Sequence, residues 1–251
     1  MRNKLNIYKK SFINYPSSKT MRMNTSIVIP AKNEQESLPK VLGGLLKLKL
    51  KDYEIIVVVD QSEDKTAQVA DSYARNYKNI KAIHRDSAIK GFGAAIKEGT
   101  KLAKGKYIVW VMSDNSDDLS IIPEFMESLK QYDMVFGSRY MKGSSNDLSA
   151  VKSILSSGYS LVAKFLFNLK VNDITNAFRA FKKEVFNKIN LESNDFAISP
   201  EFAIKSHLKG YKLGQIPTTY KSRQAGVAKS SLIKMGVSYV KLFKYKFKSV
   251  K

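Results

Sequence analysis

A chain of 251 residues that is 43% hydrophobic can bury a substantial core, as one large domain or two small ones. With no cysteine it has no disulfide, thiolate metal site or cysteine nucleophile, and a cytoplasmic setting is the default expectation. A formal net charge of +21 implies an anionic partner, yet only seven of the 43 basic residues are Arg, which argues against nucleic acid.

The charge sits at the two ends. Residues 1–24 hold six Lys/Arg and no acid, and residues 202–251 hold twelve and no acid. No apolar run approaches the roughly 20 residues of a membrane-spanning helix, and the N-terminus lacks the apolar core of a signal peptide, so neither spanning nor export is expected. An anionic membrane surface fits this balance.

Residues 1–24 show no clean periodicity and read as a basic extension. From Thr25 onward, apolar β-branched runs alternate with helical patterns. Strands are predicted at Ser26–Pro30, Glu54–Asp60, Ile80–His84, Lys106–Ser113 and Met134–Ser138, with helices near Glu36–Leu48, Asp64–Arg75, Gly93–Ala103 and Ile121–Lys130. A Ser/Gly/Asn-rich loop follows, then a helix around Ala150–Leu169, a strand Ala177–Phe181, a helix Pro200–Leu208 and a strand Leu213–Pro217. Continuous apolar strands such as Ile55-Ile56-Val57-Val58-Val59 are what a parallel sheet covered on both faces produces, so an α/β fold of βαβ type is expected.

In such sheets ligands bind beyond the carboxyl ends of the strands. Those ends are polar here: Pro30-Ala31-Lys32-Asn33-Glu34, Asp60-Gln61-Ser62-Glu63-Asp64 and Ser113-Asp114-Asn115-Ser116-Asp117-Asp118. Three acidic ends on one edge suit a ribose, a base and a divalent cation. The Lys90-Gly91-Phe92-Gly93 turn opens a helix whose free N–H groups could face an anion. A dinucleotide fingerprint would place its glycines after the first strand, where Pro30 and Asn33 stand instead. Arg179 and Arg223 attract notice because Lys outnumbers Arg 36 to seven, so an Arg suggests a site needing the planar fork. Trp110 reads as core, and His84 and His207 as packed or surface histidines.

The segments IVIPAKNEQESLP, EIIVVVDQSEDKT, KGFGAAIKEG, YIVWVMSDNSDD, MVFGSRY, DITNAFRAFKKEV and RQAGVAKSS occur in the order seen in family 2 glycosyltransferases of the dolichol-phosphate-mannose-synthase type. The chain resembles that family over about residues 25–232. The resemblance implies a GT-A fold, Rossmann-like with a mostly parallel central sheet, a nucleoside-diphosphate sugar donor, a Mg²⁺ or Mn²⁺ ion and inversion at the anomeric carbon. It divides the chain into a domain at 25–228, with a nucleotide-sugar half (25–140) and an acceptor half (141–228), and a tail at 229–251.

Carried over by position, Pro30, Asn33, Glu34 and Asp60 should border the nucleoside, with Gly91 and Gly93 beside the donor. Asp114 matches the second acid of the family's Asp-x-Asp metal motif, and Arg139 an arginine that binds the acceptor phosphate. Lys152 stands where a second arginine is usual, Ser156 adds a hydroxyl, and Arg179 and Arg223 join the acceptor set. Met112 replaces the first acid of the metal motif and cannot ligate a hard cation, so Asp117 or Asp118 is the expected substitute.

The expected acceptor is a polyprenyl-phosphate-like lipid, because a phosphate monoester is already anionic near neutrality whereas a sugar hydroxyl needs a general base. Family members using hydroxyl acceptors typically carry a Gln-x-x-Arg-Trp motif, absent here. The sugar-acceptor alternative stays open, with Asp117, Asp118 or Glu201 as base, as does an idle nucleotide-sugar-binding homologue. The tail is expected to lie on anionic membrane as an amphipathic helix. At 100° per residue Lys234, Lys241, Lys244, Lys248 and Lys251 share one face, and Leu232, Met235, Tyr239, Leu242 and Phe243 another. The overall expectation is a cytoplasmic enzyme peripherally bound to the membrane.

Overall fold

The computed structural model describes residues 24–222 and 232–247. The extension up to residue 23, the RQAGVAKSS segment with Arg223, and Lys248 and Lys251 of the tail lie outside the described residues. The α/β expectation holds. Strands β1 (Thr25–Ala31), β2 (Tyr53–Asp60), β3 (Ile80–Arg85), β4 (Tyr107–Trp110), β5 (Met134–Ser138), β7 (Arg179–Lys182) and β8 (Leu213–Pro217) form one sheet in the order β3-β2-β1-β4-β7-β5-β8. All neighbours are parallel except β7, which runs antiparallel to both β4 and β5. Two short strands, β6 (Ser145–Asn146) and β9 (Thr219–Tyr220), pair apart from it.

The continuous apolar runs are explained by two cores, one on each face. Ile27, Ile29, Ile55, Val57 and Val59 point to one side, beneath α1 (Leu38–Lys47), α2 (Thr66–Asn76) and α4 (Ile122–Ser128). Val28, Ile56 and Val58 point to the other, beneath α3 (Phe92–Leu102), α5 (Ala150–Phe167), α6 (Lys183–Lys188) and α7 (Ile198–Leu208). Side chains alternate across a strand, so only a run with no polar gap can feed both layers. Trp110 is fully buried, meets Phe181 edge-on at 5.1 Å and donates its Nε1–H to Thr100 Oγ1 at 2.9 Å.

One predicted element changes and one is new. The strand read as Lys106–Ser113 ends at Trp110, because Met112 N–H turns to Asp117 Oδ2 (2.8 Å) and the Ser113 hydroxyl to the Pro30 carbonyl (2.8 Å), so that side chains replace ladder partners. The short helix α6 was not anticipated. The division at residue 140 does not split the sheet, since β7 from the second half inserts between β4 and β5.

Helix α8 (Leu232–Lys241) and the 3₁₀ turn Leu242–Lys246 close one core. Tyr239, Leu242 and Tyr245 are buried there, with Met235 and Phe243 packed against them. The face expected to enter a membrane is thus the one that packs on the body. Its ring-rich side chains found a protein partner: Phe243 stacks on Tyr159 of α5 at 5.3 Å, and Tyr159 donates its hydroxyl to the Tyr239 carbonyl at 3.1 Å.

The loop 191–195 seats this segment. Glu192 pairs with Lys244 (3.2 Å) and Lys205 (2.9 Å), and Ser238 donates to Asp195 Oδ2 (2.7 Å). The same loop presses its backbone onto the Gly91–Gly93 turn. A Cβ at Gly93 would stand 2.7–2.8 Å from backbone atoms of Ser193, Asn194 and Asp195, and Gly91 combines φ +118° with a carbonyl 2.5 Å from any Cβ. Gly93→Ala should therefore cost about 1–3 kcal/mol of stability, read by denaturant unfolding, with Gly91→Ala at least as costly.

Candidate functional site

After β1 the sheet changes direction: β2 and β3 add on one side of it, and the chain then crosses to place β4 on the other. In open sheets of this kind the ligand crevice falls where such strands part, at their carboxyl ends. Pro30 sits at this point. The β1–β4 pairing ends at Val28 with Trp110, so its missing N–H leaves no gap in that ladder. Three residues in left-handed conformation turn the chain sharply at the strand ends: Asn33 (φ 52°), Gln61 (φ 51°) and Asn115 (φ 60°).

The nucleoside-side residues are largely engaged with one another. Asn33 Oδ1 accepts from Glu63 N–H (2.8 Å) while its own N–H donates to Ser62 Oγ (3.1 Å), so the β1 and β2 ends move as one. Glu34 is buried, with Oε2 accepting from Ser37 Oγ at 2.6 Å and its N–H donating to Thr66 Oγ1 at 2.7 Å. Asp60 lies deeper: Oδ1 takes Arg85 Nη1 at 2.6 Å and Oδ2 takes Gly91 N–H at 3.2 Å. Arg85 also grips Glu98 (2.6 Å) and the Ile89 carbonyl (2.8 Å), and so fixes the whole 85–91 loop.

The turn at Gly91 and Gly93 is partly engaged by the chain itself. Gly91 N–H goes to Asp60 and Ala94 N–H to the Asn194 carbonyl (3.2 Å), so the chain's own acceptors occupy part of the helix start. Both glycines let the backbone of residues 193–195 approach closely.

Asp114 is half-buried after β4, with Oδ1 accepting from Ser116 N–H (3.2 Å) and Oγ (2.6 Å). Asp117 keeps some surface, but its Oδ1 is shut off from solvent and has no hydrogen-bond partner among the described residues. Burial, reinforced by the charge of Asp114, pushes its carboxyl up to about 8. Asp118 Oδ1 takes Ser120 N–H (3.1 Å) and Oγ (2.6 Å), capping the 3₁₀ turn Leu119–Ile121, while its charge still acts on Asp117.

Arg139 ends β5. Its Nε and Nη2 fork onto Asp173 at 2.7 and 3.0 Å, Nη2 also donates to Thr175 Oγ1 (2.8 Å), and the guanidinium lies over the rings of Tyr140 (5.3 Å) and Tyr220 (5.5 Å). Burial opposes charge on Asp173, but Arg139 outweighs it and holds that carboxyl below the usual range. Tyr220 is pushed up to about 12 by burial and by Asp114 and Asp117. Lys221 N–H reaches the Ser116 carbonyl at 3.0 Å. Tyr220 therefore lies between Arg139 and the acid pair, near enough to both for their charges to act on it.

Ser156 is brought close, since its hydroxyl bonds Tyr140 Oη and the Lys152 carbonyl (2.8 Å); Lys152 lies one turn earlier with its side chain exposed. Two residues are not brought there. Arg179 is 0% exposed and donates to the carbonyls of Ser199 (2.8 Å), Ile174 (3.2 Å) and Asn176, 4.7 Å above the Phe136 ring. It ties β7 to α7 and has no surface for an acceptor. Glu201 is also 0% exposed, takes the N–H groups of Glu192 and Ser193 at 2.8 Å each and pairs with Lys205 at 2.6 Å. It shapes the 191–195 loop and cannot meet substrate as a base.

Sequence reasoning missed Arg85, Asp173, Ser116 and Tyr220. The rarity of Arg, used for Arg179 and Arg223, would equally have flagged Arg85; nothing local marks Tyr220, which acts from more than 100 residues away.

Residues 26–190 match Glycosyl transferase family 2. The dolichol-phosphate mannosyltransferase of Pyrococcus furiosus is 32% identical over 82% of this chain, which spans only 59% of that protein's length. The undecaprenyl-phosphate mannosyltransferase of Micrococcus luteus is 28% identical over 83% of the chain and 88% of its own length. Glucosyl-3-phosphoglycerate synthase from Mycobacterium tuberculosis, crystallised with Mn²⁺, uridine diphosphate and phosphoglyceric acid, superimposes with a TM-score of 0.66 at 16% identity, over 88% of this chain and 76% of that one. That likeness is one of fold, the GT-A type with its mostly parallel sheet. By the family match over most of its length, the chain belongs to glycosyltransferase family 2.

Proposed function

We propose that the protein transfers a sugar from a nucleoside-diphosphate sugar to the phosphate of a polyprenyl-phosphate-like lipid, with inversion, at the cytoplasmic face of an anionic membrane. The observation that carries this reading is the grouping at the strand ends: Asp117 lies close enough to Asp114 and to the Arg139 guanidinium to feel the charge of both. One side suits a diphosphate, the other a second phosphate. The names of the Pyrococcus and Micrococcus relatives point to a polyprenyl-phosphate acceptor, and the uridine diphosphate and Mn²⁺ of the mycobacterial structure to a nucleotide donor and a cation.

Asp117 Oδ1 is the test of whether a cation fits. A buried, unpartnered carboxylate oxygen beside a second carboxylate is costly alone and is relieved by a divalent ion. Among the described residues no third His, Cys, Asp or Glu joins them, which suits Mg²⁺ or Mn²⁺ completed by substrate phosphates and water. When bound there, such an ion supplies neutralising charge to a leaving diphosphate.

Asp173 and Thr175 hold two nitrogens of Arg139, so its remaining Nη1 edge is oriented in advance for an acceptor phosphate. An acceptor oxygen, anionic because the second pKa of a phosphate monoester is about 6, attacks the anomeric carbon. The bond to the diphosphate oxygen breaks on the opposite side, and the diphosphate departs with the electron pair. No base is required, which agrees with the burial of Glu201 and the capping role of Asp118. No helix among the described residues is long and apolar enough to cross a membrane, so contact with the lipid falls to the surface.

Two experiments test this reading. A panel of UDP-, GDP- and CDP-sugars is screened by thermal shift, and the best binder is offered with undecaprenyl or dolichyl phosphate. Asp114→Asn should reduce transfer at least about 10³-fold, and Arg139→Ala should raise the KM for lipid phosphate; transfer only to a soluble glycan would overturn the acceptor assignment. The second is a melting series from pH 5 to 9. The folded-state carboxyl of Asp117, near 8, retains a proton that the unfolded chain loses near 3.8. Its contribution to stability therefore falls as pH rises between those values. Asp117→Asn should gain on wild type progressively toward pH 8, and Mg²⁺ should raise the Tm of wild type there but not that of the variant.

A further inference from the structure

Helix α5 carries an unbroken apolar stripe that faces water. Val151, Ile154, Leu155, Leu161, Val162 and Phe165 are all exposed, Phe165 at 88% and Ile154 at 69%. Their spacing puts them on one side of the helix for nearly its full 18 residues. Ser160, Ala163 and Phe167 face the core from the opposite side. Helix α8, which α5 touches through Tyr159, repeats the arrangement: Met235 and Tyr239 turn inward, while Ile233 (80% exposed), Val237 and Val240 turn outward, followed by Phe247 at 90%. A soluble surface seldom spends so many large apolar side chains together without a partner.

Charge selects the partner. Lys152 stands exposed beside the stripe of α5, and Lys234, Lys241, Lys244 and Lys246 are exposed around that of α8. From residue 202 onward the sequence has twelve Lys/Arg and no acid. A second copy would bring the same lysines against these, whereas lipid headgroups bring the opposite charge. Deepening the membrane reading above and resting on it, we infer that the outward faces of α5 and α8 together dock into the headgroup and acyl boundary of an anionic bilayer.

The docking also has a consequence for the acceptor. The first turns of α5 are tied to the end of β5, because Tyr140 Oη bonds Ser156 Oγ and the Ser153 carbonyl (3.5 Å), and Tyr140 lies under the guanidinium of Arg139. Lowering α5 into the boundary brings Arg139 to the depth of a lipid phosphate, so the polyprenyl chain can stay in the bilayer while its head group reacts.

The full-length Phe165→Trp variant reports directly, since the only native tryptophan, Trp110, is buried and gives a constant background. Vesicles of phosphatidylglycerol should shift its emission to the blue, and phosphatidylcholine vesicles much less. The pairs Ile154→Gln with Leu161→Gln, and Ile233→Gln with Val237→Gln, should each weaken vesicle partitioning about tenfold or more, with unchanged melting and with undiminished transfer to a short, water-soluble prenyl phosphate. No blue shift, a shift already present without vesicles, unaltered partitioning of either pair, or a dimer in gel filtration that the substitutions abolish would each overturn the inference. Vesicle binding by a wild type that transfers sugar to neither short nor long prenyl phosphates would instead refute the proposed function and leave the docking face standing.

Discussion

The fork between Arg139 and Asp173 fastens the end of β5 to the turn that precedes β7. Asp173 is 0% exposed and its carboxylate also accepts the N–H of Arg139 (3.1 Å) and of Asn176 (3.2 Å). Removing two charges from water costs several kcal/mol per ion, returned only where geometry is good and the remaining lone pairs are filled. Here they are filled, and Asn176 goes on to donate to the Gly137 carbonyl at 2.8 Å. The end of β5 and the turn before β7 are thereby one rigid piece. Because the Arg139 guanidinium also underlies Tyr220, and the adjoining Lys221 N–H holds the Ser116 loop that holds Asp114, the placement of the acid pair depends on a salt bridge to which neither acid belongs.

Much of the fold was legible because a parallel sheet covered on both faces leaves a coarse signature. The runs at 55–59 and 134–138 have no other comfortable place than between two apolar layers, and helices of suitable length lie between them. The position of β7 was not legible. An antiparallel strand wedged between β4 and β5 has the same apolar content as a parallel one, and only the long-range register, Trp110 opposite Arg179 and Phe136 opposite Arg179, reveals it.

The candidate site was legible where residue type constrains chemistry and obscure where it does not. Asp114 and Arg139 lie near enough to Asp117 for their charges to act on it. Arg179 misled because a planar fork serves backbone carbonyls in a core as well as it serves a phosphate, and sequence does not reveal burial. Glu201 misled for a related reason: an acid at a helix start can cap a loop as readily as it can take a proton. For the tail, periodicity put Met235, Tyr239 and Leu242 on one side, but the side read as lysine-bearing also carries the exposed Ile233, Val237 and Val240. Packing against Tyr159 and Phe243 decided which side turns inward.

The segment from Leu232 to Lys246 also bears on how the molecule is made. Every strand of the main sheet is complete by Pro217, yet Tyr239, Leu242 and Tyr245 belong to the core over α7, and Lys244 and Ser238 fasten the loop that lies on the Gly91 turn. During synthesis the sheet can therefore assemble while one of its two apolar layers is still uncovered, and the loop beside the crevice stays without its fastening until the later segment has left the ribosome. A growing chain in that interval has the strands of a transferase and an open apolar flank, the kind of surface on which partly made chains aggregate.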